Sequence, residues 1–172
     1  VTGLGGGGGG VSVASGDAIT SHGLEMQPFT PDTRDRLQAF LPEAGAILRN
    51  PLDIGSSGAD RGIMRRSLEL AVGDPGVDLL IVNIPLGSVL GRPSLRFARM
   101  VCEEVIALRA SQPKPIAVYS PPTLSSDSQY ALVQILSAAR IPVYDSLDSA
   151  ARAIAHVRDY WRRIAQWRGK GA

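Results

Sequence analysis

The sequence predicts an α/β fold, a doubly wound five-stranded parallel sheet with helices on both faces. Three observations point to it: nearly continuous apolar runs at Val77–Ile84 and Pro115–Tyr119, amphipathic helical patterns between such runs, and a glycine tract that joins an apolar start to a small-residue helix. Strands buried on both faces read as unbroken apolar runs, and they belong to parallel sheets covered by helices.

The first strand is a stub at Val1, followed by Gly5 through Gly10 and a run from Val11 to Ile19 that closes at Gly23, a suitable residue just past a helix end. The second is the short Leu24-Glu25-Met26, the third and fourth are the two apolar runs, and the fifth is Ile141-Pro142-Val143-Tyr144. Thr30 before Pro31 offers a cap and a first-turn proline. Met64, Leu68, Ala71 and Val72 share a helical face, as do Ala98, Val101, Cys102 and Val105, and Leu132, Ile135, Leu136 and Ala139. Ser146 can cap a last helix carrying Leu147, Ala150 and Ile154. Five strands and about five helices in this order suit a flavodoxin-like sheet.

Composition narrows the class. With 172 residues, 44% hydrophobic and 20% charged, the chain reads as one soluble domain over residues 1–160 followed by a basic tail at 161–172. No apolar run is long enough to span a bilayer, no signal peptide opens the chain, and Cys102 is the single cysteine, so the expectation is a cytoplasmic protein without a membrane role. Cys102 falls in a helical apolar repeat and reads as core. The net charge of +2 conceals an asymmetry: from residue 151 onward Arg152, Arg158, Arg162, Arg163, Arg168 and Lys170 face only Asp159. No nucleic-acid motif accompanies this basic helix with its Trp161 and Trp167, so it reads as a solvated face.

In a doubly wound sheet, ligands meet the carboxyl ends of the strands. The glycine tract sits there. Glycine lacks a Cβ, so a partner can approach the backbone amides, and a helix N-terminus adds about half a positive charge, which favours an anion such as phosphate. Gly8, Gly9, Gly10, Val11 and Ser12 are the candidate phosphate-binding residues. The loop 85–89 after the third strand and Pro121-Pro122-Thr123 after the fourth also qualify. A further loop from Asn50 to Gly58, with Asn50, Asp53, Gly55 and Ser56, precedes a helix and offers a second amide-rich start. No catalytic residue and no metal site is expected; His22 and His156, the only histidines, read as structural or surface residues.

Taken in order, the glycine run entering a helix with Asp17 and His22-Gly23, then Asn50-Pro51-Leu52-Asp53, Asp74-Pro75 before Val77–Ile84, Lys114-Pro115 and Ile141-Pro142-Val143-Tyr144 form a set. It resembles the flavodoxin-like CoA-ligase domain of NDP-forming acyl-CoA synthetases, such as the C-terminal domain of the succinyl-CoA synthetase β subunit and its counterpart in ADP-forming acetate-CoA ligase. The resemblance spans Val1 to about Tyr160. It implies a reaction in which an acid, CoA and a nucleoside triphosphate give acyl-CoA, NDP and phosphate through an acyl phosphate and a phosphohistidine. One of the two helix N-termini that flank the phosphohistidine would start here at about Gly10 and Val11.

The resemblance also assigns substrate contact to Gly7 and to Gly87, Ser88 and Val89, with two departures: Leu86 replaces a family glycine, and Gly7 replaces an asparagine. It implies CoA and ATP or ADP bound at other domains, namely CoA-binding and ATP-grasp partners in a larger chain or hetero-assembly, since the family's Gly-His-Ala-Gly type segment does not occur in this sequence. The other reading is a non-catalytic interaction module that keeps the fold. An FMN-binding flavodoxin suits it less, because its phosphate loop normally carries several hydroxyl side chains, whereas this tract has none before Ser12.

Overall fold

The computed structural model describes residues 2–5, 9–41, 46–84, 95–122 and 126–169. Along the chain run β1 (Thr2–Gly5), α1 (Gly9–Ser21), α2 (Pro31–Gln38), β2 (Ile47–Leu48), β3 (Leu52–Asp53) and a 3-10 turn (Gly55–Ala59). Then follow α3 (Arg61–Gly73), β4 (Leu80–Asn83), α4 (Leu95–Ser111), β5 (Ile116–Tyr119), α5 (Ser126–Ala138), β6 (Val143–Tyr144) and α6 (Leu147–Gly169). They form one sheet in the order β2-β3-β1-β4-β5-β6. Every pairing is parallel except that of β2 with β3.

Alternation along the central strands builds two cores. Leu80 and Val82 of β4, with Ile116 and Val118 of β5, enter the larger cluster with Leu68, Val101, Val105 and Leu136 of α3, α4 and α5. Ile81, Ala117 and Tyr119 point the other way, onto Ile19 of α1 and Ala151 and Ala155 of α6. Helices thus cover both sheet faces. Fully burying an aliphatic side chain of this size contributes about 1.5–3 kcal/mol, so β4 alone anchors both layers.

Local signals set the helix ends. Thr30 Oγ1 accepts the Thr33 N–H and Pro31 opens α2; Ser146 Oγ accepts the Ser149 N–H ahead of α6. α1 closes at Gly23, whose φ of +66° lets the Gly23 and Leu24 N–H groups reach the Thr20 and Ile19 carbonyls. His22 Nε2 lies 2.8 Å from Asp148 Oδ1, joining the end of α1 to the start of α6. α6 continues without a break past Tyr160 to Gly169.

Three expectations are corrected. Leu24-Glu25-Met26 is not a strand: Leu24 packs as a buried residue in the smaller core, while β3, two residues within the segment read as a loop, pairs with β1 instead. The sheet has six strands rather than five, because the chain from Ile47 reverses through the cis Asn50–Pro51 bond to lay β2 antiparallel on β3. Ile135 faces solvent rather than joining Leu132 and Leu136, as α5 buries only a narrow stripe at its side of the sheet.

Candidate functional site

In a parallel arrangement the carboxyl ends of all the strands gather at one edge. Here that edge carries Gly5, Asp53, Asn83, Tyr119 and Tyr144. β1 lies in the middle of the sheet, and only residues 6–8 separate its last residue from the first residue of α1. Gly9, Gly10, Val11 and Ser12 therefore form the opening turn of a 13-residue helix directly above the sheet edge. The first N–H groups of a helix have no intrahelical acceptor, and the aligned peptide dipoles make this end positive.

α1 brings no acid of its own to this end, since its first turn has no Asp or Glu. The contrast with its neighbours is informative. α3 is capped by Asp60, whose Oδ1 accepts the Ile63 N–H at 2.8 Å, and α2 carries Thr30 as cap and Asp32 in its first turn. Each of those two helices thus has a side chain of the chain itself on one of its opening amides.

Asn83 ends β4 with the same facing as Ile81, on the α1 side of the sheet. It is 8% exposed, and its Oδ1 has no hydrogen-bond partner among the described residues. A buried amide oxygen left unpaired costs about 1–3 kcal/mol. Across the register Asn83 stands opposite Tyr119, whose phenol oxygen accepts a bond from Ser15 of α1. Burial pushes the Tyr119 phenol up, and the Ser15 bond opposes that rise. This contact pins α1 over the ends of β4 and β5. Ser120, one residue on, is also buried with an unpartnered hydroxyl among the described residues.

The Asn50 loop lies on the other side of β1. Asp53 sits opposite Gly5 in the β1–β3 register, 3% exposed, and its Oδ1 accepts the Gly55 N–H at 2.9 Å. Gly55, at φ +53°, turns the chain into the 3-10 turn, and Ser56 is exposed on that turn. Asn50 Nδ2 donates to the Gln27 carbonyl, which ties the loop to the segment before α2. The segment therefore spans β3, with Asn50 at its amino-terminal end and Asp53 at the carboxyl edge, beside Gly5 by register.

Of the residues singled out by sequence, Gly9, Gly10, Val11, Ser12, Asp53, Gly55 and Ser56 are placed along this edge, whereas Asn50 lies in the β2–β3 turn at the opposite, amino-terminal end of β3. Gly7, Gly8, Gly87, Ser88 and Val89 lie outside the described residues. Cys102 is core, and burial raises its thiol to about 11, which leaves it protonated and unreactive at neutral pH. His156 is exposed on α6. Among the described residues, no group of three or more His, Cys, Asp or Glu could hold a metal ion, and no helix is long and apolar enough to cross a membrane. Sequence reasoning passed over Asn83 and Ser120; the available signal was a polar residue at or just beyond the end of each apolar strand.

At this edge an acid-free helix N-terminus and buried polar atoms without partners among the described residues meet at the carboxyl end of a parallel sheet, the place where α/β domains bind ligands. The chain belongs to the Ligase-CoA domain family, whose model matches residues 1–167. It is similar in fold to the crystal structure of PH0766 from Pyrococcus horikoshii OT3, with a TM-score of 0.73 and 24% identity over 90% of this chain and 34% of that one. It is also similar to the dinucleotide forming acetyl-coenzyme A synthetase 1 of Ca. Korarchaeum cryptofilum in its apo form, with a TM-score of 0.69 and 23% identity over 94% of this chain and 33% of that one. The chain thus spans about a third of the length of each. No curated protein sequence matches it.

Proposed function

We propose that this chain is a domain of an NDP-forming acid-CoA ligase and supplies the half-site that holds a phosphoryl group on a partner segment's histidine. The observation that carries the reading is the acid-free opening turn of α1 at Gly9–Ser12, set three residues beyond the central strand of a Ligase-CoA family domain. Backbone amides and a helix dipole stabilise a phosphoryl group without offering a nucleophile that would intercept it. The fit to phosphate rests on the Gly9 and Gly10 amides, which carry no side chain to obstruct approach. The order β3-β1-β4-β5-β6 of the parallel strands supports a flavodoxin-like reading, an architecture that binds ligands at the carboxyl edge of its sheet.

On this reading the loop at 86–89, with Gly87, Ser88 and Val89, and Gly7 of the glycine tract face the acid substrate. On the same reading CoA and the nucleotide bind on CoA-binding and ATP-grasp domains and the whole operates in the cytoplasm; the chain's span of about a third of its structural relatives supports a larger assembly. A structure of the assembled enzyme soaked with inorganic phosphate tests the proposal. Phosphate, or a phosphohistidine, on the amides of Gly8–Ser12 is the expected result; an assembly in which another domain fills that turn would overturn it.

A further inference from the structure

α6 divides into two halves of different character. Leu147, Ala150, Ala151 and Ala155 are buried against the sheet, whereas beyond Ala155 no residue of the helix is buried. That outer half is nonetheless rich in large apolar groups: Val157, Tyr160, Trp161 and Trp167 are 58%, 57%, 58% and 76% exposed. Exposed side chains of this size scattered singly need no explanation, but these are not scattered.

Val157, Tyr160, Ile164 and Trp167 recur at alternating steps of three and four residues, the a and d spacing of a heptad seam. Trp161, beside Tyr160, packs edge-on against its ring at 5.5 Å and widens the stripe. Charge flanks the seam asymmetrically. Arg163 precedes the second a position and Arg168 follows the second d position, the places that set partner choice in paired helices. Arg162 adds to the basic flank. Arg158 is turned away to the Gly23 carbonyl and to Asp159, the only acid of this half.

We infer that the outer half of α6 docks an acidic amphipathic helix of a partner domain or chain, with apolar residues at its seam and Glu or Asp beside it. A second copy of this chain does not suit the surface, because pairing α6 with itself sets arginines against arginines, and like charges across a seam oppose association. The inference stands apart from the phosphate reading, since it rests on the opposite end of a different helix.

The two tryptophans of the chain, Trp161 and Trp167, both lie on this half, so tryptophan emission reports on it alone. The chain is titrated with a designed helical peptide carrying Leu at a and d and Glu at e and g, and with its counterpart carrying Lys at e and g. Two heptads form a marginal pair alone, so the titration extends to about 1 mM. A saturable blue shift with the Glu peptide, at least tenfold weaker with the Lys peptide and abolished by Ile164→Asp, is expected. Arg163→Glu with Arg168→Glu should invert the peptide preference while leaving the thermal midpoint in place, since both side chains are exposed. Equal response to both peptides, or none, overturns the inference. So does concentration-dependent self-association by sedimentation, or a blue shift on anionic phosphatidylserine vesicles without peptide discrimination, which would assign the stripe to a second copy or to a lipid surface.

Discussion

The carboxylate of Glu104 receives the Nε–H of Arg65 at 2.6 Å, tying α4 to α3 across the larger core. Its other oxygen accepts the Arg61 Nε–H at 2.5 Å, so a carboxyl group 2% exposed is held by two guanidinium groups whose far ends reach water. The Arg65 bond holds the Glu104 pKa below the usual carboxylate range against the opposing effect of burial, with Arg61 assisting. At Asp74 burial also pushes upward, but the Thr30, Thr33 and Gly76 donors outweigh it and the pKa is lowered.

A lowered carboxylate pKa contributes stability that is present above the unfolded value and is lost as pH falls through the folded one. Unfolding by urea should therefore become easier from about pH 4 downward, the ordinary range for Glu and Asp. Glu104→Gln should lose about 1–3 kcal/mol at neutral pH, because both guanidinium partners lose the carboxylate charge and one is left facing an amide N–H2 that cannot accept its bond. The same variant, and Asp74→Asn, should each show a shallower acid limb than the parent. An unchanged limb in both would contradict the assignment.

Asn83 offers a separation of stability from function. Replacing it by Leu, of similar volume, removes a buried amide oxygen that has no partner among the described residues, so the folded domain should be as stable as the parent or about 1 kcal/mol more stable. On the proposed function, with Asn83 at the half-site, the assembled ligase should nonetheless turn over at least about tenfold more slowly, given what single buried polar groups contribute at reacting centres. A thermal melt and a turnover assay on the same variant decide it; parallel loss of both would make Asn83 a structural residue only.

Arg140 closes α5 in the left-handed region at φ +57°, where its N–H and that of Ile141 reach the Ser137 and Leu136 carbonyls. This is the helix ending that glycine normally provides. Arg140→Gly relieves the Cβ conflict and frees the unfolded chain, two effects of opposite sign that should leave a net gain of about 0.5 kcal/mol. Calorimetry should show a midpoint raised by about 1–2 °C.

Periodicity revealed most of the fold because most of its elements are amphipathic or buried. Met64, Leu68, Ala71 and Val72 lie inward as their spacing implies, and Thr30, Ser146 and Gly23 end their helices as their chemistry implies. β3 was not legible. Two residues, one of them Asp53, carry no alternation, and the strand exists through pairing with Leu4 and Gly5, a contact distant in sequence. The glycine tract suggests a site by composition, whereas Asn83 and Ser120 acquire meaning only when the sheet edge shows them buried without partners among the described residues.

The central claim is that the amides at the start of α1 hold a phosphoryl group, and Gly9→Leu with Gly10→Leu tests it most directly. Leucine has the higher helix propensity, so the opening turn should form at least as well while side chains crowd the approach to its amides. The measurement is the rate of acid-dependent and CoA-dependent NDP release by the assembled enzyme carrying both substitutions. A fall of about a hundredfold with an unchanged melting temperature is the predicted result; an undiminished rate would contradict the account.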